Sequence, residues 1–365
     1  MRVIISGGGT GGHIFPAIAI ANALKKMDPA TEILFVGAKG RMEMERVPQA
    51  GYRIIGLNIQ GLQRKSFMKN IMFPFKLVGS VIKSLSIIRE FKPNAAVGVG
   101  GYASGPLLYA ASMKKIPYLI QEQNSYAGIT NKRLGKKATK IAVAFDEMGR
   151  FFPADRVIKT GNPVRKESVD IAGKRDAAME FFKFSPDKKT ILIIGGSLGA
   201  RTLNNALMAG LDKILEADIQ VIWQTGKYYY KEIVSVLGKS FNPNIHITEF
   251  LNKMDYGYAA ADVIISRAGA GTIAELAIIG KPVILVPSPN VSEDHQTKNA
   301  LALGEKDACE FIPDKKASRK LIDTAFTLLN DTGRQKILGN NIGKFALPHA
   351  DEDIAKVVME MVKGD

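Results

Sequence analysis

"VIISGGGTGGHIFPAIAIANAL", residues Val3 to Leu24, decides how the fold begins. A β-branched run reads as a strand, a glycine-packed turn follows, and an apolar-patterned segment from Pro16 to Lys26 reads as a helix. Gly7-Gly8-Gly9-Thr10-Gly11-Gly12 satisfies G-x-G-x-x-G, and His13 closes the loop. Glycines there admit positive φ and let the backbone approach a phosphate, while the following helix N-terminus supplies N–H donors. A dinucleotide site also needs an acid at the end of the second strand. That strand ends in Val36-Gly37-Ala38-Lys39, which offers none and argues against a nicotinamide or flavin dehydrogenase. The Walker pattern G-x-x-x-x-G-K-[ST] is missing as well.

The same alternation runs on through the chain. Strand-like runs fall at Val3–Ser6, Ile33–Val36, Ala95–Val99, Tyr118–Gln121 and Lys140–Val143. A second set falls at Thr190–Ile194, Gln220–Gln224, Ile245–Thr248, Val263–Ser266 and Pro282–Val286. Most are unbroken apolar runs, as in parallel sheets covered on both faces. Helical patterns such as Leu203–Leu215 and Thr272–Ile279 lie between them. Two rounds of alternation predict two doubly wound α/β domains. The seam is expected near Gly161-Asn162-Pro163-Val164-Arg165, where the punctuating residues gather.

Composition narrows the class. With 46% hydrophobic and 23% charged residues, the 365-residue chain is globular and sized for about two domains. The single cysteine, Cys309, excludes a disulfide framework and a multi-cysteine zinc site, and fits a reducing compartment. No signal-peptide pattern follows Met1, and no uncharged apolar run approaches the ~20 residues that span a bilayer. A formal charge of +15 calls for an anionic partner: nucleic acid, an anionic membrane or a phosphorylated substrate. No nucleic-acid module supports the first of these.

Two further glycine loops also follow strands and open helices, "GVGGYASGPLLYAA" (Gly98–Ala111) and "GGSLGARTLNNAL" (Gly195–Leu207), with Ser197 inside the second. The carboxyl edge of an open α/β sheet is where ligands bind. Tight βα turns also use glycine for steric reasons alone. In "SRAGAGTIAELAIIG" a strand ends at Ser266 and a helix is expected to start near Thr272, with Glu275 in its first turn. Glu275 either balances the helix dipole or accepts two ribose hydroxyls. Gln296 and Asn299, in "SEDHQTKNA", either bind sugar hydroxyls or solvate a helix.

Seven segments occur in order over nearly the whole chain: "GGGTGGH", "GVGGYASGP", "EQNSYAGITNK", "GNPVR", "IIGGSLGA", "SRAGAGTIAEL" and "HQTKNA". In content, order and spacing they resemble the MurG family, bacterial peptidoglycan N-acetylglucosaminyltransferases of the GT-B fold. The resemblance implies two Rossmann-like parallel-sheet domains facing a cleft. Residues 1–163 would take the lipid acceptor, 164–340 the UDP-sugar, and 341–365 a C-terminal helix packing back toward the first domain. It implies inverting transfer of N-acetylglucosamine from UDP-N-acetylglucosamine to the muramoyl 4-hydroxyl of undecaprenyl-linked lipid I, giving lipid II. No cofactor is implied. The expected place is the cytoplasmic face of the bacterial inner membrane, peripherally bound, with other cell-wall enzymes open as partners. A UDP-N-acetylglucosamine 2-epimerase is the alternative within the fold, and a non-catalytic nucleotide- or lipid-binding protein the alternative outside it.

Residue by residue, the resemblance puts Thr10, Gly11 and Gly12 on the cleft against the donor, with Asn124 and Arg165 as donor contacts. It puts Ser197 near the diphosphate, the backbone of Leu251 on uracil, and Ala270, Gly271, Thr272, Ile273, Ala274 and Glu275 around the nucleoside, Glu275 on the ribose. Gln296 reads sugar hydroxyls. Helix N–H groups near Gly195–Ala200 would stabilise the departing β-phosphate without a metal. The one Asp-x-Asp, Asp351-Glu352-Asp353, precedes an amphipathic helix where acids are favoured anyway. An inverting transfer needs a base at the acceptor hydroxyl. The imidazole of His13, of ordinary pKa ~6.5, suits that task, though the residue also suits a purely loop-shaping role. Glu122 is the rival base. Gln121 stands where the family often has histidine, which puts a catalytic role for that position in doubt.

Between Leu62 and Lys92 seven cations face one acid, with Phe67, Met68, Ile71, Met72, Phe73 and Phe75 interleaved among residues such as Lys69 and Lys76. Pro74 suits a helix start, and Val78, Val81, Ile82 and Leu85 form an expected core-facing stripe. Phe67, Met68, Lys69, Met72, Phe73, Phe75 and Lys76 are the expected membrane patch.

Overall fold

Val3–Ser6 lies in strand β1 (Arg2–Gly7), whose residues alternate between the two faces of a sheet. Val3 and Ile5 enter one core with Ile20, Phe35 and Val97; Ile4 enters the other with Leu34, Leu107 and Ile120. The computed structural model describes residues 1–61, 72–238 and 242–364. Two units result, Met1–Val164 with Pro348–Asp365, and Arg165–Leu347.

In the first unit β2 (Glu32–Ala38), β3 (Arg53–Leu57), β4 (Ala95–Gly100), β5 (Tyr118–Glu122), β6 (Lys140–Val143) and β7 (Val157–Lys159) join β1. All pairings are parallel, in the order β3-β2-β1-β4-β5-β6-β7. Helix Gly11–Met27 and the final helix Ala350–Lys363 pack together on one face, where Ile14, Ile20, Ile354 and Val358 are buried.

The second unit holds β8 (Thr190–Ile194), β9 (Gln220–Gln224), β10 (Ile245–Thr248), β11 (Val263–Ser266), β12 (Val283–Leu285) and β13 (Glu310–Phe311). Their order is β10-β9-β8-β11-β12-β13, again all parallel. The only tryptophan, Trp223, is buried there, and its indole N–H donates to Asn204 at 2.9 Å.

Several local expectations are corrected. The first helix begins at Gly11 rather than Pro16, because Thr10 takes an extended conformation and its carbonyl accepts the N–H groups of His13 and Ile14. His13 therefore sits in the first helical turn. Leu203–Leu215 is not one helix but two, Arg201–Ala209 and Leu211–Glu216, parted at Gly210. The helix after β11 runs Ala270–Ile279, so Glu275 stands in its second turn, beyond the reach of a first-turn dipole contact. In helix Phe73–Phe91 the expected core-facing stripe holds only in part: Leu85 packs against the core, but Val78 and Ile82 are exposed, while Ser80, Ser84, Ile87 and Ile88 are buried. Among the described residues no helix is long and apolar enough to cross a membrane.

Candidate active site

In each sheet the strand order reverses at one place, between β1 and β4 and between β8 and β11. Chains leaving such neighbours diverge to opposite faces and open a crevice at the strands' carboxyl ends. Thr10 lies in the loop after β1, and Gly11, Gly12 and His13 open the helix that follows it; Gly100, at the end of β4, leads into Gly101 and Tyr102. The two segments are knit together. Gly8 N–H donates to Gly100 O at 3.3 Å. A Cβ on Gly100, at φ 104°, would lie 2.7 Å from the His13 ring, and one on Gly101, at φ 90°, 2.3 Å from the Gly8 carbonyl. The glycines of the second loop thus make room for the first.

His13 Nδ1 stands 3.1 Å from the Gly8 carbonyl oxygen and 3.5 Å from Thr10 Oγ1. A carbonyl only accepts, so Nδ1 carries the proton in that bond and Nε2 is the basic nitrogen. The acid missing at the end of β2 arrives from elsewhere. Glu43, first residue of helix Glu43–Gln49, is buried, and its two oxygens accept the N–H groups of Ala38 (3.0 Å) and Gly9 (2.9 Å). Sequence reading missed it because an acid at a helix start is ordinary. The signal was there in Gly8 and Gly37, at each of which a Cβ would strike the Glu43 side chain.

Glu122, at the end of β5, is buried and accepts four hydrogen bonds, from Asn124 N and Nδ2, Gly128 N and Asn131 Nδ2, at 2.8–3.3 Å. These bonds shape the Asn124-bearing loop and occupy both oxygens. Gln121 is also buried, and its amide donates to Asn162 Oδ1 at 2.7 Å, tying β5 to the "GNPV" segment.

In the second unit, Ser197 is exposed in the turn between β8 and helix Arg201–Ala209, whose N-terminus has no capping side chain and no acid in its first turn. Gly196 and Gly199 take φ 78° and 89° there, and a Cβ on Gly199 would lie 2.3 Å from Thr225 O. The turn after β11 opens helix Ala270–Ile279, likewise without a side-chain cap. Ala270, Gly271, Thr272, Ile273 and Ala274 lead to Glu275, whose Oε2 accepts the hydroxyl of fully buried Tyr258 at 2.9 Å. Burial pushes the Glu275 carboxyl above its usual range, while the Tyr258 bond and the nearby Arg165 guanidinium pull it back. Arg165 precedes helix Lys166–Val169.

Gln296 Oε1 accepts Ser288 N–H at 2.8 Å, so its amide nitrogen is the donor end. Asn299 is buried and donates to Ala268 O, bracing the β11 turn. Arg267 in the same turn binds Asp314 and the carbonyls of Val286 and Pro287, and Asp314 also accepts Thr202 Oγ1. The Leu251 side chain is buried beside Gly257. His246 packs edge-on against Phe182, and burial lowers its pKa. In the Asp351-Glu352-Asp353 run, Glu352 pairs with Lys26 and Asp353 with Lys356. Of the expected membrane patch, Phe67, Met68 and Lys69 lie outside the described residues.

Residues 3–143 match the glycosyltransferase family 28 N-terminal domain, and residues 190–351 match its C-terminal domain. A UDP-N-acetylglucosamine–N-acetylmuramyl-(pentapeptide) pyrophosphoryl-undecaprenol N-acetylglucosamine transferase of Bacteroides thetaiotaomicron is 55% identical, over 100% of this chain and 99% of its own. A protein of the same name from Phocaeicola vulgatus is 56% identical over 99% and 96%. A crystal structure of MurG from Acinetobacter baumannii superposes with a TM-score of 0.78 at 27% identity, covering 98% of this chain and 99% of that one. A UDP-GlcNAc 2-epimerase from Neisseria meningitidis has a TM-score of 0.70 at 15% identity, a likeness of fold alone. Two all-parallel sheets, each with a glycine loop at its switch point, are those of a GT-B glycosyltransferase. Within that class, the chain belongs to the MurG family of N-acetylglucosaminyltransferases.

Proposed function

We propose that this enzyme transfers N-acetylglucosamine from UDP-N-acetylglucosamine to the muramoyl 4-hydroxyl of lipid I, with inversion, forming lipid II. The observation that carries the reading is the 55% identity, end to end, to a relative named for that activity. The epimerase alternative has only the shared fold behind it.

In this reading Nε2 of His13 takes the proton of the acceptor hydroxyl as its oxygen attacks the anomeric carbon. The bond from that carbon to the β-phosphate oxygen breaks, and UDP leaves with the electron pair. Charge growing on the diphosphate meets the uncapped N-terminus of helix Arg201–Ala209 and Ser197. Glu275 accepts the ribose hydroxyls, the Leu251 backbone meets uracil, and Gln296 donates to the sugar. Arg165 and Asn124 complete the donor contacts, and Thr10, Gly11 and Gly12 line the reacting side. The geometry favours His13 over Glu122 as base, because four hydrogen bonds already occupy the Glu122 carboxylate.

The acceptor is a lipid, and helix Phe73–Phe91 suits its surroundings. Phe75 is 70% exposed, with Met72, Val78 and Ile82 also exposed, while serines 80 and 84 turn inward. Phe73 and Lys76 are half-buried at its start. An apolar outer face with Lys76, Lys83 and Arg89 on the same helix fits an anionic bilayer surface, on the cytoplasmic side where the nucleotide sugar is made.

The test is transfer of labelled N-acetylglucosamine onto a soluble lipid I analogue by wild type and His13→Ala. Wild-type transfer, with a loss of about 10²–10⁴-fold in kcat and donor KM kept in the variant, supports both reaction and base. A small loss returns the base role to Glu122. Epimer in place of disaccharide overturns the reaction.

A further inference from the structure

The peptide group joining Gly8 to Gly9 is hydrogen-bonded on both sides. Its N–H, which belongs to Gly9, donates to Glu43 Oε2 at 2.9 Å. Its carbonyl, which belongs to Gly8, accepts from His13 Nδ1 at 3.1 Å. The second Glu43 oxygen is held by Ala38 N–H at 3.0 Å, and the side chain is 1% exposed. Four glycines clear the space: 8 and 37 around the carboxylate, 100 and 101 around the imidazole and the carbonyl.

We propose that Glu43 is a positioning residue for the transfer reaction, acting on His13 through the Gly8–Gly9 peptide. This rests on reading His13 as the base. Resonance couples the two ends of a peptide group. A negative carboxylate on the N–H side draws electron density toward the carbonyl oxygen, which becomes a stronger acceptor, as chained hydrogen bonds polarise one another. The stronger acceptor holds the Nδ1–H tautomer and the ring orientation. It also stabilises the imidazolium formed when Nε2 takes the acceptor proton. Glu43 itself takes no proton, and Nδ1 keeps its own throughout. In hydrolase triads a carboxylate contacts the histidine directly; here one peptide group is interposed. Charged or titratable groups described near the loop include Tyr102, beside Gly9, and Arg41, which lies 5.7 Å from the Tyr102 ring centre.

Ring-¹⁵N histidine NMR on the whole enzyme tests this, since only four histidines need assigning and His13→Ala identifies the signal. The expected results are a neutral His13 in the Nδ1–H form, a Gly9 amide proton that shifts as His13 titrates, and a His13 pKa lowered by about 0.5–1 unit in Glu43→Gln. That variant is expected to lose about tenfold in kcat with donor KM kept, and to add no loss in a His13→Ala background. A neutral Nε2–H form, or a Gly9 amide blind to His13, overturns the proposal in wild type even if Glu43→Gln does not fold. An equal Glu43→Gln loss with and without His13 makes Glu43 merely structural and overturns it too. Full kcat in His13→Ala overturns the base reading itself; loss there with an unmoved His13 pKa in Glu43→Gln overturns only the coupling.

Discussion

Fully buried Tyr258 donates its one hydroxyl to Glu275. That bond favours the charged carboxylate, which alone accepts both hydroxyls of a ribose. With Glu275 on the donor's ribose, as proposed, donor affinity would be present above the Glu275 pKa, itself raised by burial, and would be lost as pH falls through it. Tyr258→Phe removes a pull toward lower pKa. The acid limb of kcat/KM for the donor should move to higher pH, with KM near neutrality up about three- to tenfold. A pH–rate series on both proteins checks this, and an unmoved limb would mean that Glu275 does not control binding. Glu275 and His13 were candidates in the sequence because each follows a strand and a glycine-containing turn, and the structure places both on the helices those turns open. Glu43 was not, since its two partners lie 5 and 34 residues away and its surroundings read as an ordinary helix start.

Helix Phe73–Phe91 carries the lesson at the scale of an element. An apolar stripe was legible in its sequence, but its phase was not. Serines 80 and 84 face inward, with Ser84 Oγ donating to Ser80 O, and small side chains permit the close packing against helix Ser104–Met113. Hydrophobic periodicity alone takes the apolar face for the buried one, and a face turned to lipid, as proposed for this helix, would reverse that logic. Replacing Phe75, Val78 and Ile82 together by serine should weaken binding to vesicles containing anionic lipid by about tenfold or more, at the few kcal/mol that three buried side chains contribute. Thermal stability should stay nearly level, since all three are exposed. Flotation and a melting curve read the two halves; equal loss in both would place these residues in the core. The strands that escaped reading, β3, β7 and β13, are all sheet edges, short and only partly buried, where the continuous apolar signal of a central strand is absent.

At the scale of the whole molecule, the alternation of strand and helix predicted two doubly wound sheets because central parallel strands must be apolar on both faces. Each unit has its own core, and the first draws on both ends of the sequence. Ile354, fully buried against the β1 side, belongs to the later segment. Ile354→Ala should cost about 2–5 kcal/mol, lowering the melting of the first unit by about 5–15 °C. Trp223 fluorescence reports on the second unit only and should shift less, and matching shifts would show a single cooperative transition. The helix Ala350–Lys363 is translated after all of the second unit. During synthesis the second unit, the proposed donor side, can therefore fold first, while the sheet that carries His13 waits for the helix that completes its core. A chain stalled on the ribosome before Pro348 would then hold a folded second unit beside a first unit that still lacks part of its core.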